Sequence, residues 1–180
     1  VDFDRSEPAV KKALKGNRVF VVPGFYGVSL EGKVTLLGRG GSDYSAAAIA
    51  RCLDAESLDI WKDVNGYMTA DPKSVEHPLR IETLSYTEAA ELSYFGAKIL
   101  HPRTVEPLLE KGIPIRIFNI DHADPLAPAL SQITDAVTIT AAVAKSVTYS
   151  DQFAMLKLSG PGVGVKHGVL ASATSVLDAG

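Results

Sequence analysis

Residues 33–61 read KVTLLGRGGSDYSAAAIARCLDAESLDIW, and their order decides the fold class. Residues 33–37 alternate as a strand does, residues 44–53 are Ala-rich with an apolar helical stripe, and residues 57–61 return to strand character. Between the first strand and the helix lies the tight loop Gly38-Arg39-Gly40-Gly41-Ser42-Asp43. Strand, glycine-rich loop, helix and strand in succession predict an α/β domain with a largely parallel sheet and flanking helices.

The pattern continues on both sides. Downstream, residues 87–94 predict a helix with acid in its first turn and Gly96 at its stop. Residues 103–111 predict a second helix with Gly112 just past its end, and residues 113–118 (IPIRIF) a strand. Upstream, Ser6 is expected to cap a short helix with Pro8 in its first turn and Gly16 at its end. Residues 18–22 then read as a buried strand closed by Pro23-Gly24. Residues 119–133 hold prolines and little periodicity, which predicts a linker or long loop. Strands are expected at 137–143 and 153–158, a glycine-rich turn at 159–164 and a helix at 168–177. A chain that starts on a helix with no strand before it, and stops after one strand and one helix, is expected to be a piece of a larger protein cut at both ends.

Composition narrows the function classes. The 180 residues carry 18 Lys+Arg against 21 Asp+Glu, a net charge of −3, which gives no basic footprint for nucleic acid and no pull toward anionic membranes. Hydrophobic residues make up 46% and charged residues 22%, as in an ordinary globular chain. The single cysteine, Cys52, can form neither an internal disulfide nor a cysteine cluster for a metal. No apolar run reaches the ~20 residues that span a bilayer, and no signal peptide opens the sequence, so the expected location is cytoplasmic.

Three clusters carry chemistry. In the 38–43 loop, glycines admit close backbone approach, N–H groups at a helix start favour an anion, and Arg39 offers a two-bond fork for a carboxylate or phosphate. Asp43 could orient a cationic partner. The alternative is a tight turn with Ser42 or Asp43 as helix cap. The loop matches neither a Walker A sequence nor a dinucleotide GxGxxG. The second cluster, Trp61-Lys62-Asp63-Val64-Asn65-Gly66 through Lys73, leaves a strand end, where ligands of open α/β sheets bind. Lys62 and Lys73 could neutralise phosphate and Asp63 could accept from a base or ribose, against the alternative of a solvated loop. The third is Phe95-Gly96-Ala97-Lys98-Ile99-Leu100-His101-Pro102, where Lys98 follows two small residues. His101 has no second ligand at metal spacing and reads as a helix-boundary residue. Cys52, Tyr44 and Trp61 read as core.

Together the clusters resemble the aspartokinases of the amino-acid kinase superfamily. VPGFYGVSLEGKVTLLGRGGSDYSAAAIA (22–50) resembles their substrate loop, and WKDVNGYMTADPK (61–73) the nucleotide loop of the superfamily. LSYTEAAELSYFGAKILHPRTVEPLLEKGIPIRI (84–117) is similar to the segment that separates aspartokinases from carbamate, acetylglutamate and uridylate kinases. SVTYSDQFAMLKLSGPGVGVKHGVLASATSVLDAG (146–180) resembles the start of an ACT module, a βαββαβ unit that binds amino-acid effectors and pairs chains. The resemblance covers residues 19–180.

The resemblance implies transfer of the ATP γ-phosphate to the β-carboxylate of L-aspartate, giving 4-phospho-L-aspartate on the way to lysine, threonine and methionine. A carboxylate is already ionised at neutral pH, so such a reaction needs positioning and charge neutralisation rather than a general base. By resemblance, Arg39, Gly40, Gly41 and Ser42 would hold aspartate, with Arg39 on its α-carboxylate and Phe25 lining the pocket. Asp43 would orient the catalytic lysine or the substrate amine. Lys62 and Asp63 would lie at the nucleoside with Met68 against it, and Lys73, Lys98 and Ile99 would complete the nucleotide site. Lys62 and Met68 stand where many relatives have threonine and tyrosine. Magnesium would arrive bound to ATP, with no metal site of the chain's own. Gly168, Val169 and Leu170 would contact a lysine or threonine effector, and ACT modules would pair chains into a homo-oligomer. The implied organisation is a nucleotide-binding kinase part at 1–120, a linker and connecting strand at 121–146, and an incomplete ACT module at 147–180. The family's Lys-Phe-Gly-Gly motif is not found in these residues, so the chain alone is expected to be nearly inactive. The other classes weighed are a non-catalytic regulatory or ACT-assembly subunit and a sister kinase acting on another carboxylate.

Overall fold

The computed structural model describes residues 1–96, 99–122, 124, 127–136, 144–149, 157–160, 163 and 167–178. The chain forms two compact units, Val1–Tyr149 and Ser150–Gly180. The first begins with helix α1 (Phe3–Ala13), followed by a hairpin of β1 (Tyr26–Val28) and β2 (Val34–Leu36). Helix α2 (Gly41–Cys52) leads to β3 (Leu58–Lys62), and β4 (Thr83–Ser85) runs directly into α3 (Tyr86–Phe95). A 3-10 turn at Pro102–Thr104 and the short α4 (Glu106–Leu109) precede β5 (Ile115–Asn119), and β6 (Ser131–Thr134) follows a 3-10 turn at Ile120–His122. In the second unit the regular element among the described residues is α5 (Val169–Asp178).

The main sheet has the order β3-β5-β6-β4. β3 pairs with β5 in parallel and β4 with β6 in parallel, whereas β5 and β6 are antiparallel, so the sheet is mixed and mostly parallel. Ile115, Ile117 and Ile133 are fully buried on one face, each contributing roughly 1.5–3 kcal/mol of apolar transfer. Leu84, Leu108, Tyr67 and Tyr86 complete the centre of the core. Ala47 and Ala50 of α2 are small enough for that helix to lie close on the same core. Register places Lys62 beside Asn119, so the two parallel strands end together.

Several expectations from the sequence need correction. Residues 18–22 form no strand, and Val19 and Val21 are 96% and 94% exposed. β propensity states only that a segment suits a pleated, half-buried surface, and no described strand lies alongside this one to provide it. Helix α1 begins at Phe3, three residues before Ser6: Asp2 is its cap, accepting from the Arg5 N–H at 3.1 Å, and Pro8 lies inside it. The helix expected over 103–111 is split into the 3-10 turn and α4, because Pro107 lacks the N–H needed to continue one ladder. The expected linker at 119–133 contains the start of β6, an inner strand of the sheet. Trp61 is 37% exposed and stacks on Phe118 with ring centroids 4.6 Å apart, whereas Tyr44 and Cys52 are buried as expected. The strand expected at 137–143 lies outside the described residues, as do residues 153–156 of the next one. No helix among the described residues is long and apolar enough to cross a membrane.

Candidate active site

The 38–43 loop is shaped by what packs against it. Gly40 has φ 73°, and a Cβ there would stand 2.3 Å from the His101 Cβ, so only glycine allows the histidine segment this close. Helix α2 starts at Gly41 with Gly40 as its cap and no side-chain capping bond; Ser42 and Asp43 lie in its first turn rather than capping it. His101 caps the following 3-10 turn through Nδ1, which accepts from the Arg103 N–H at 3.3 Å. Arg103 in turn lies over the Tyr44 ring, 5.0 Å from its centroid.

Phe25 closes the other side of the loop. Its backbone sits at φ 81°, a costly region for a residue with a side chain. The conformation is held by two bonds: the Phe25 N–H donates to Ser45 Oγ at 2.9 Å, and its carbonyl accepts from the Leu37 N–H at 2.9 Å. A Cβ on Gly41 would meet the Phe25 ring at 3.0 Å, and one on Gly24 would meet the Ser42 backbone at 3.2 Å. Phe25, Gly40, Gly41 and Ser42 are thus gathered at one helix start. Arg39 is exposed on the same loop and has no ion-pair partner among the described residues.

Lys62 joins this loop to the next. Its Nζ lies 2.7 Å from Asp43 Oδ2 and donates to the Ile99 carbonyl at 2.6 Å. Both side chains of the pair are about a quarter exposed or less-than-a-third exposed, so the interaction is shielded from full solvent screening. Beyond it lies a cavity of about 640 Å³, the size of a small-molecule site, at the carboxyl end of β3. Asp63, Met68, Lys73 and Ile99 line it, and Lys62 does not. Lys98 lies outside the described residues. Gly168, Val169 and Leu170 belong to the second unit, where they open α5.

The 61–73 loop is anchored from below by a buried serine, Ser131, which lies within the expected linker at 119–133. Ser131 Oγ accepts from the Tyr67 N–H at 2.9 Å and donates to the Ile81 carbonyl at 2.6 Å. A Cβ on Gly66 would stand 2.7 Å from that oxygen. The Tyr67 hydroxyl pairs with Ser93 Oγ at 3.0 Å, and burial pushes its pKa up to about 12. Asn119 Nδ2 donates to Asn65 Oδ1 at 2.9 Å, tying the loop to the end of β5. Ser146, Thr148 and Tyr149 supply a further wall of the cavity, and no motif in their sequence signalled it.

The residues present fit a nucleotide. Val64, Met68, Ala70, Pro72 and Ile99 give the cavity an apolar lining, while Lys73 can meet phosphate and Asp63 or Asp71 a ribose hydroxyl. Among the described residues no group of three His, Cys, Asp or Glu side chains stands together as a metal site. Magnesium carried on nucleotide phosphates would need no such group.

Comparison with known proteins agrees with this architecture. Residues 1–119 match the amino acid kinase family. A bifunctional aspartokinase/homoserine dehydrogenase of Haemophilus influenzae is 42% identical over 180 residues, covering 99% of this chain and 21% of the relative. The chain therefore spans about a fifth of that protein's length. The structure of Clostridium acetobutylicum aspartate kinase aligns with a TM-score of 0.65 at 40% identity, covering 74% of this chain and 30% of that one. Aspartokinase III of E. coli, in complex with aspartate and ADP, aligns with a TM-score of 0.57 at 42% identity, covering 64% of this chain and 25% of that one. The same E. coli protein in complex with lysine and aspartate aligns with a TM-score of 0.53 at 42% identity, over 63% of this chain and 25% of that one. With the family match spanning 1–119 and the mixed α/β sheet that carries the site, the chain belongs to the amino acid kinase family.

Proposed function

We propose that these residues carry the nucleotide site and part of the aspartate site of an aspartate kinase, which transfers the ATP γ-phosphate to the β-carboxylate of L-aspartate. The observation that carries the reading is the Lys62 link, 2.7 Å to Asp43 and 2.6 Å to the Ile99 carbonyl. It couples a glycine-rich helix start bearing an exposed arginine to a cavity of nucleotide size.

In this reading Arg39 holds the α-carboxylate of aspartate by a charge-assisted fork, and Gly40, Gly41 and Ser42 offer N–H groups at the start of α2. Phe25 gives the pocket an apolar side. Asp43, neutralised by Lys62, fixes the loop and leaves the local charge balanced for an anionic substrate. Asp63 and Met68 receive the nucleoside, Lys73 and Lys98 the phosphates, and magnesium arrives on the nucleotide, where it neutralises phosphate charge. Aspartate needs no deprotonation, so positioning and charge neutralisation are the whole task of these side chains.

We also propose residues 1–120 as the main nucleotide-binding part, 121–149 as the connection, three residues longer than expected because Val147–Tyr149 belong to the first unit, and 150–180 as the start of an ACT-type regulatory module that binds a lysine or threonine effector and pairs chains. The lysine held by the E. coli relative supports an amino-acid effector. The 180 residues hold no Lys-Phe-Gly-Gly stretch, so turnover by them alone is expected to be slight.

Aspartate-dependent ADP release by the enzyme that carries this chain tests the assignment. Arg39→Ala is expected to raise the KM for aspartate about tenfold or more and the KM for ATP less than about twofold. Equal loss toward both substrates, or equal turnover of glutamate, would count against it.

A further inference from the structure

The segment just before the second unit is bound to the cavity at several points. Lys145 Nζ pairs with Glu88 at 2.8 Å, and Glu88 also forms the capping box of α3 with Ser85. Burial pushes the Glu88 carboxyl up, but the Lys145 and Ser85 hydrogen bonds outweigh it and hold the group below the usual glutamate range. Ser146 Oγ donates to the Met68 carbonyl at 2.9 Å, and the Val147 N–H donates to the Thr69 carbonyl at 2.9 Å. The Tyr149 hydroxyl meets Ser74 Oγ at 3.2 Å. On the opposite flank, a Cβ on Gly96 would stand 3.2 Å from the Tyr149 carbonyl, so backbone meets backbone there. Residues 145–149 thus lie like a strap along the 68–74 loop.

Tyr149 is 67% exposed yet hydrogen-bonded through its hydroxyl, and it lines the cavity together with Ser146 and Thr148. A tyrosine held only by its tip keeps a flat apolar face at the mouth of a polar-rimmed cavity, which suits a base or ribose. Ser74 follows Lys73 directly, so the clasp fixes the end of the loop that carries the phosphate-side lysine.

We propose that residues 145–149 are the closing wall of the nucleotide cavity, and that Tyr149, clasped to Ser74, is a positioning residue for the bound nucleotide. The proposal rests on the nucleotide reading of that cavity and adds a residue to it from outside the 61–73 loop. Since Tyr149 is the last residue of the first unit, the wall of the cavity is continuous in sequence with the second unit.

Calorimetric titration of the chain with MgADP tests it. Tyr149→Ala is expected to weaken binding about tenfold, and Tyr149→Trp to stay within about threefold of the unmodified chain. Addition of MgADP is expected to change the fluorescence of Tyr149→Trp beyond the change seen in the unmodified chain, a response that a purely structural role would not produce. Tyr149→Phe and Ser74→Ala, which keep the ring and remove the clasp, are each expected to weaken binding about two- to fivefold, with no further loss when combined. Binding by the unmodified chain with Tyr149→Ala unchanged would overturn the proposal and leave the nucleotide reading intact. Absence of MgADP binding by the unmodified chain would overturn both.

Discussion

Lys62 and Asp43 meet at 2.7 Å across 19 residues of sequence, joining the end of β3 to the first turn of α2. The lysine also holds the Ile99 carbonyl, so three segments converge on one ammonium group. An ion pair of limited exposure, with a third partner, restricts geometry more than a surface pair does.

Removing either member leaves the other without its counter-charge. Asp43→Asn and Lys62→Met are each expected to destabilise the chain, and the double variant to lose less than their sum. The coupling expected from a cycle of urea-denaturation measurements is roughly 1–3 kcal/mol. Strict additivity would mean that the pair contributes nothing.

Gly40 is constrained twice, by φ 73° and by the His101 side chain 2.3 Å from any added Cβ. Gly40→Ala is expected to cost about 1–3 kcal/mol for the backbone strain, with a further loss from the displaced histidine. Combining it with His101→Gly, which removes the clashing Cβ, should recover the steric part alone. Thermal melts of the three variants separate these contributions.

Ser131 is fully buried and satisfies two backbone groups at once. Ser131→Ala leaves the Tyr67 N–H and the Ile81 carbonyl without that partner and is expected to cost about 1–3 kcal/mol. The loss should appear with faster amide exchange in residues 66–69. Exchange confined to the β6 end would contradict this role.

Acid should weaken the packing of α1 before the core. Hydrogen bonds from Lys11 and Lys111 hold the Asp54 carboxyl down to about 2, against an ordinary 3.8. A folded-state pKa below the unfolded one stabilises the fold above the unfolded value, and that contribution disappears as pH falls through the folded value. Glu88 has the same sign, its carboxyl lying below an ordinary 4.5. Urea midpoints are therefore expected to fall between about pH 4.5 and pH 2. In Asp54→Asn the fall should be shallower, and an unchanged slope would exclude the Asp54 contribution.

How much of this was legible in the sequence follows from the range of the interactions. Helices α2 and α3 were readable because an Ala-rich stripe, and acid in a first turn followed by a stop at Gly96, are local signals; the Ser85–Glu88 capping box of α3 was not read from the sequence. β4 and β6 were not, since three or four residues are too few to establish a period and β6 sits behind prolines. The 18–22 run carried strand propensity without the neighbours that make a strand. At the site, Asp63, Met68, Lys73 and Ile99 were brought to one cavity, while the ammonium of Lys62 turned toward Asp43. Tyr149 and Ser131 reach the site only through folding, 75 residues from Ser74 in one case and 64 from Tyr67 in the other.

The proposed nucleotide site is the cavity at the end of β3. Hydrogen-exchange mass spectrometry of the chain with and without MgADP tests it most directly. Slower exchange is expected in residues 63–73 and 145–149, with no change in α1. Protection confined to other segments, or none at saturating MgADP, would contradict it.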